Sequence, residues 1–206
     1  MINELVIGIA GGKGMGKDTF ADHFITYLTS TGITDWHIDG EVYGKTAIKR
    51  MRFAQPLIDQ LQALGISYPD TLEKKESLVP GGLTTYRQVI TSFSDWATQN
   101  FGEDCFFKMS KLAAAVHRVV VFTDVRLSFE WEYIRQNGLL IHVVGDKLET
   151  ATSGHRTEQG VPIDTDRDLV IYNHYRTQPK LYTPDALNQS AYHAARFVAQ
   201  AYHAKS

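Results

Sequence analysis

Cysteine is nearly absent from this chain. Its 206 residues include only Cys105, which excludes an internal disulfide and is typical of a reducing compartment. We interpret Cys105 as a core residue, since the sequence near it offers no basic partner for a nucleophile. An excess of positive charge is also missing: 21 Lys and Arg stand against 23 Asp and Glu, for a formal net charge of −2. Because such an excess holds nucleic-acid backbones, stable nucleic-acid binding is not expected.

Hydrophobic runs are short throughout. None is long enough to cross a membrane, and the apolar run at residues 5–10 lacks the preceding basic segment of a signal peptide. Metal-binding patterns are missing too, because the eight histidines form no H-E-x-x-H motif and no cysteine cluster exists. We therefore expect a cytoplasmic protein without a structural transition metal, formed by one domain over residues 1–206.

The most informative feature that is present is the glycine-rich segment GGKGMGKDT, which follows the apolar run at 5–10. It has the form G-x-x-x-x-G-K between a predicted strand and a predicted amphipathic helix, as in phosphate-binding loops. Gly11, Gly14 and Gly16 let the backbone wrap a phosphate chain, and the helix dipole favours the same anion. Lys17 adds a positive charge for the β- and γ-phosphates. The segment predicts a nucleoside triphosphate site; a glycine-rich turn without a ligand is the alternative.

The residue after the loop lysine is unusual. Asp18 stands where a serine or threonine usually offers a hydroxyl to magnesium, and Thr19 follows it. We expect both at the metal, with two functional interpretations of Asp18: it orients magnesium-bound water, or it faces the acceptor substrate. A carboxylate in this position also gains from the helix dipole without any catalytic role.

Strand and helix signals alternate along the chain, which predicts a three-layer α/β fold around a mostly parallel sheet. Residues 29–46 are expected to form a loop or a short hairpin, and residues 65–84 a loop. Residues 145–168 are long and polar for a connection, which favours a lid over a phosphate donor; a plain solvent-exposed connection is the alternative. Strands are predicted at 4–10, 47–53, 119–123, 139–144 and 169–172, and helices at 17–28, 57–64, 85–99, 104–115, 128–137 and 184–203.

Two charged residues follow the most apolar interior strand, VVVF at 119–122. Asp124 is expected at the carboxyl end of that strand, where acidic residues of phosphate-loop proteins contact the magnesium shell; a helix N-cap is the alternative. Arg126 can hold a phosphate bidentately and stabilise charge during transfer, or form a surface ion pair with Glu130. Arg87 opens a predicted helix after a glycine-rich loop and could reach an anion. We assign catalysis to Lys17, Asp124 and Arg126.

Several stretches together resemble one family, the bacteriophage deoxynucleoside monophosphate kinases. The resemblance begins with GGKGMGKDTFAD, in which the unusual K-D-T is itself a mark of the family, and resumes between Arg87 and Phe107. It is densest in TDVRLSFEWE, GLLIHVVG, HRTEQGVPI and DLVIYN, between Thr123 and Asn173. The ordered set covers about half of the chain and is far more specific than a phosphate loop alone.

The resemblance implies a nucleoside-monophosphate-kinase-like P-loop fold that transfers the γ-phosphate of ATP to a deoxynucleoside monophosphate with magnesium. By position, the loop residues from Gly11 to Thr19 hold ATP and magnesium, and an aromatic platform for the base lies near Phe106. His155 and Glu158 match the family's lid motif. The implied acceptor contacts are Lys13, Arg87, Asp95, Phe106, Asp124, Arg126, Glu130 and Glu158.

Two departures from the family pattern concern the acceptor pocket. The chain is shorter between Leu64 and Tyr86, and Phe106 stands where a tryptophan can occur, so base selectivity is left open.

Two other functions are also left open: a kinase for another small molecule, such as a coenzyme precursor, and a nucleotide-binding regulator without turnover. A homodimer is compatible with the sequence, and the expected ligands are ATP and a nucleoside monophosphate.

Overall fold

The computed structural model describes residues 5–12, 14–33, 35–38, 41–45, 48–69, 72–145, 160–173 and 185–203. The chain separates into two compact units. The first contains the chain up to Arg52 and from Ala114 onward, and the second contains Phe53–Ala113. No helix in the described part of the chain combines the length and apolarity needed to cross a membrane.

The described strands all lie in the first unit. They are β1 Leu5–Ala10, β2 Asp35–Ile38, β3 Glu41–Lys45, β4 Lys49–Met51, β5 Val119–Phe122, β6 Gly138–Val144 and β7 Leu169–Tyr172. A five-stranded sheet has the order β4-β5-β1-β6-β7, and each neighbouring pair is parallel. β2 and β3 form a separate antiparallel pair. The central strand β1 leads directly into the glycine-rich segment, which places that segment at the middle of the sheet edge.

Helices cover both faces of the sheet. The helices are α1 Lys17–Ser30, α2 Gln55–Ala63, α3 Leu72–Lys75, α4 Tyr86–Phe101, α5 Cys105–Ala114, α6 Ser128–Asn137 and α7 Asp185–His203. Phe20 and Phe24 of α1 and Ala191 of α7 join the odd-numbered residues of β1 in one buried core. Ile134 of α6 lies on the other face, where a Cβ on Gly8 would meet its Cδ1 at 2.3 Å. Because strand side chains alternate, these contacts define three layers.

The second unit is helical in its described residues. Pro56 lies in the first turn of α2, and Thr85 and Gln88 form a capping box at the start of α4. The Ser110 hydroxyl donates to the Phe53 carbonyl over 3.2 Å, and the rings of Phe53 and Phe107 lie 5.7 Å apart. These contacts fix the orientation of α5, which carries Phe106.

The fold class is confirmed, since the sheet is parallel and helices flank both faces. Residues 29–46 include the β2–β3 hairpin, and the stretch predicted as a loop at 65–84 also contains the short α3. Gly138 is the C-cap of α6, has an extended φ of 179°, and begins β6. A Cβ there would lie 1.7 Å from the Val6 carbonyl oxygen, so glycine is needed for strand approach. Residues 146–159 of the predicted lid lie outside the described residues.

Candidate active site

The candidate residues of the first unit lie at the carboxyl ends of the sheet strands. In the parallel register, Gly8 of β1 pairs with Phe122 of β5. Continuing that register two residues brings Asp124 level with Ala10, where the glycine-rich loop begins. β4 also ends here, because the Thr123 N–H donates to the Met51 carbonyl over 3.1 Å. Ligands of parallel sheets bind beyond the carboxyl ends of the strands, so this edge is the candidate site.

The described glycines of the loop have backbone features that a phosphate-binding loop requires. Gly14 and Gly16 have φ of 79° and 83°, a left-handed conformation that glycine adopts without strain. At Gly11, a Cβ would lie 2.5 Å from the Val143 carbonyl oxygen. Gly16 is the N-cap of α1 and has no side chain to bond the N–H groups of the first turn. Those groups are therefore left for an anion at the positive end of the helix dipole.

Asn173, which follows β7, is hydrogen-bonded to the glycine-rich loop. Its Nδ2 donates to the Met15 carbonyl oxygen over 2.8 Å, and its backbone N–H donates to Val144 over 2.7 Å. The side chain is buried, and a Cβ on Gly16 would lie 2.6 Å from the same amide nitrogen. The sequence assigned no role to Asn173, and its position after a predicted strand was the one available signal.

We expect Asn173→Ala to weaken ATP binding about tenfold, because losing the amide leaves the part-buried Met15 carbonyl without its donor and loosens the loop. ATP affinity measured by calorimetry would check this result. Asn188→Ala is the control, since Asn188 Oδ1 accepts from Tyr27 between α1 and α7, away from the loop. Equal loss of ATP affinity in both variants would show a general effect on α1 packing rather than on the loop.

Four charged groups meet at the start of α1, namely Lys17, Asp18, Asp22 and Arg50. The Lys17 Nζ lies 3.8 Å from Asp18 Oδ2, and its side chain is only 15% exposed. The Arg50 guanidinium, from β4, donates to Asp18 Oδ1 over 3.2 Å and also bonds Asp22. Arg50 had no role in the sequence prediction, because nothing in a short basic strand identifies the helix that it contacts.

Asp124 and Arg126 lie on a short loop whose backbone is hydrogen-bonded to the Glu130 side chain. Glu130 Oε2 accepts from the backbone N–H groups of Arg126 and Leu127 over 2.7 and 2.9 Å. Leu127, rather than Asp124, is the N-cap of α6, so the structure does not bear out the N-cap interpretation of Asp124. The Arg126 side chain is exposed, whereas Glu130 is buried. Glu130 therefore positions the loop, and its assignment as an acceptor contact is untested.

Burial, reinforced by the negative charge of Asp124, raises the pKa of Glu130 from 4.5 to about 7. A raised pKa means that the folded protein binds this proton more tightly than the unfolded chain does. The stabilisation of the folded state by protonated Glu130 is fully present below about pH 4.5 and is lost as pH rises through about 7. Glu130→Gln should abolish this contribution to the pH dependence, which is on the order of 3 kcal/mol in the free energy of unfolding.

Chemical denaturation across this pH range measures the effect of Glu130→Gln. Glu132→Gln is the matched control, because Glu132 is an exposed carboxylate on the same helix. The control should keep the wild-type slope. A Glu130→Gln slope equal to that of the wild type would contradict the raised pKa.

Oxygen donors suited to magnesium lie at the same edge. Asp18 and Asp124 offer carboxylates, and Thr19 an exposed hydroxyl. The Thr123 hydroxyl is buried without a hydrogen-bond partner among the described residues. Magnesium is commonly held by one or two carboxylates, water and substrate phosphates. The donor set fits magnesium, and among the described residues no group of three or more His, Cys, Asp or Glu is placed so that it could hold a metal ion without other ligands.

The predicted acceptor residues of the second unit occupy α4 and α5. Arg87, in the first turn of α4, pairs with Glu76 and keeps 41% of its side chain exposed. Asp95 is exposed on the same helix. Phe106 lines a cavity of about 390 Å³ together with Phe101 and other residues of this unit. The remaining lining residues are Gln60, Ala97, Cys105, Lys108 and Met109.

Two predicted substrate residues, Lys13 and Glu158, lie outside the described residues, as does His155 of the lid motif. A buried polar cluster includes Asp168, the last residue of the predicted lid. Asp168, with a fully buried side chain, accepts from His142 Nε2 over 2.9 Å and pairs with Arg135 of α6. Burial alone would raise the pKa of Asp168, but the bonds from Arg135, the Asp164 N–H and His142 outweigh it and hold the pKa below its ordinary value. The cluster fixes the segment entering β7 to α6.

Comparison with known proteins supports one family. Residues 96–181 match the family model described as deoxynucleotide monophosphate kinase. A search of curated proteins finds no significant match. Among solved structures, a sugar kinase from Janibacter sp. HTCC2649 matches with 14% identity and a TM-score of 0.41. The match covers 97% of this chain and 98% of that one. At this TM-score the likeness supports no functional statement.

Proposed function

We propose that this chain, which resembles the deoxynucleotide monophosphate kinases over residues 96–181, transfers the γ-phosphate of ATP to a deoxynucleoside monophosphate. The products are ADP and a deoxynucleoside diphosphate. The family match supports a nucleotide kinase, and the deoxynucleotide acceptor is the finer step of the proposal. The observation that carries it is the glycine-rich loop from Gly11 to Lys17 at the carboxyl end of the central strand.

Phosphoryl transfer requires positioning and charge neutralisation more than a strong base. In the proposal, the N–H groups of the loop and of the first turn of α1 bind the phosphates of ATP. Lys17 neutralises charge on the β- and γ-phosphates, and Arg126 neutralises charge on the group in transfer. The acceptor is already an anionic phosphate, so no residue needs to remove a proton from it.

Magnesium, when bound with ATP, would reduce the negative charge of the phosphates. Asp18, Thr19 and Asp124 are the residues that we propose to hold it, directly or through water. The Asp18 carboxylate lies beside both Arg50 and Lys17, and its side chain is 59% exposed, so its oxygens are also accessible to an ion. Glu130 contributes by fixing the backbone of the loop that carries Asp124 and Arg126.

The acceptor base is proposed to bind near Phe106. The cavity that Phe106 lines, at about 390 Å³, falls within the range of small-molecule sites. Phe101 offers a second aromatic face, and Gln60 offers an amide with both a donor and an acceptor. Aromatic stacking discriminates weakly among bases, so we expect more than one base to be accepted.

A panel of acceptors with ATP tests the proposal. We expect several deoxynucleoside monophosphates to give diphosphates, with higher kcat/KM than the matched ribonucleotides. Close packing at the 2′ carbon would reject an added hydroxyl through steric clash or an unpaired polar group. Equal values for deoxy and ribo pairs would remove the deoxynucleotide assignment, and tight ATP binding without any diphosphate would indicate a regulator instead.

A further inference from the structure

Arg50 connects strand β4 to the start of α1 through two carboxylates. One guanidinium nitrogen donates to Asp18 Oδ1 over 3.2 Å, and another bonds Asp22 Oδ1. Asp18 and Asp22 lie four residues apart and so on the same face of the helix. The Arg50 side chain is 31% exposed, about half as much as either carboxylate. A planar guanidinium held at two points has a defined orientation, which a single contact would not give.

Asp18 creates a difficulty for a phosphate loop. Its Oδ2 lies 3.8 Å from Lys17 Nζ, close enough to compete with phosphate for the lysine charge. A closer Lys17–Asp18 pair would neutralise the loop cation before ATP arrives. The Arg50 guanidinium, on β4, donates to the other oxygen of the same carboxylate.

We propose that Arg50 is a positioning residue that keeps Asp18 from pairing with Lys17 more closely than the present 3.8 Å, and so leaves the lysine charge available to the nucleotide phosphates. This inference rests on the proposed function only in requiring that the loop binds ATP. Asp22 serves as the second anchor, which turns the guanidinium so that one nitrogen faces Asp18. The contact joins the edge strand β4 to the P-loop helix, and no local sequence pattern encodes it.

ATP binding measured by calorimetry in EDTA tests the inference without magnesium, so any metal-binding role of Asp18 does not enter. Arg50→Ala should weaken ATP binding about fivefold, the effect of a partly exposed ion pair. Adding Asp18→Asn to that variant removes the competing carboxylate and should restore the affinity. Adding Asp22→Asn to Arg50→Ala instead changes the net charge by the same amount but leaves the Asp18 carboxylate beside Lys17, so the affinity for ATP should stay low.

The two double variants distinguish a specific effect of the Asp18 carboxylate on Lys17 from a general effect of net charge. Equal rescue by Asp18→Asn and Asp22→Asn would mean that only net charge matters, and would overturn it. Absence of rescue by Asp18→Asn, or wild-type affinity in Arg50→Ala, would also overturn it. Arg50→Gln, which keeps most of the side-chain length, should behave as Arg50→Ala and covers a failure of the alanine variant to fold. If the wild-type protein does not bind ATP, the proposed function fails as well; if ATP binds but no monophosphate is phosphorylated, only the proposed function fails.

Discussion

Lys17→Ala should lower kcat by at least about 10²-fold while leaving the fold intact, because its charge acts on the transferring phosphates. The Lys17 side chain is largely buried at the start of α1, and the contact described for its ammonium group is the 3.8 Å approach to Asp18. Removing it costs one partly exposed ion pair, which contributes little to stability. Steady-state kinetics with ATP and a deoxynucleoside monophosphate, together with thermal unfolding, measure both effects.

Lys49→Ala is the matched control for Lys17→Ala. Lys49 is an exposed lysine of β4 in the same unit, so its loss changes the net charge equally. We expect the control to keep wild-type kcat. A folded Lys17→Ala protein with near-normal kcat would contradict the phosphate-loop assignment, whereas an equal loss in both variants would point to net charge alone.

Local patterns were sufficient to predict the elements that build the site. The apolar run at 5–10 and the VVVF run at 119–122 are buried strands, as continuous apolar runs of a parallel sheet should be. The glycines of the loop have the left-handed backbone that their spacing suggested at Gly14 and Gly16. These predictions succeed because each signal lies within a few residues of the structure that it specifies.

Contacts between distant segments could not be predicted in this way. Asn173 reaches the Met15 carbonyl across 158 residues of sequence, and Arg50 reaches Asp18 across 32. Which strand end lies beside the loop depends on the sheet order, and the sequence leaves that order open. His142 shows the same limit: a polar residue within an apolar strand indicates a buried partner, but not that the partner is Asp168.

Glu130 is an intermediate case, because a local signal was present. It occupies the third position of α6, where a glutamate reaches back to the N–H groups before the helix. The residue at the N-cap is Leu127, so the usual serine or threonine of a capping box is missing. The sequence prediction placed Glu130 in the acceptor site, whereas the contacts described here give it a role in the backbone of the 124–127 loop.

Arg87→Ala should lower kcat/KM for the monophosphate on the order of 30- to 1,000-fold, with little change in the KM for ATP. This factor corresponds to a loss of about 2–4 kcal/mol in transition-state stabilisation. The reason is that the exposed guanidinium of Arg87 is proposed to hold the acceptor phosphate bidentately. Glu76→Gln is the matched control, since it removes the partner of Arg87 but keeps the arginine. Wild-type kinetics in Glu76→Gln would show that the ion pair itself is not what the reaction needs. If Arg87→Ala weakens ATP and spares the monophosphate, the donor and acceptor sites have been assigned the wrong way round.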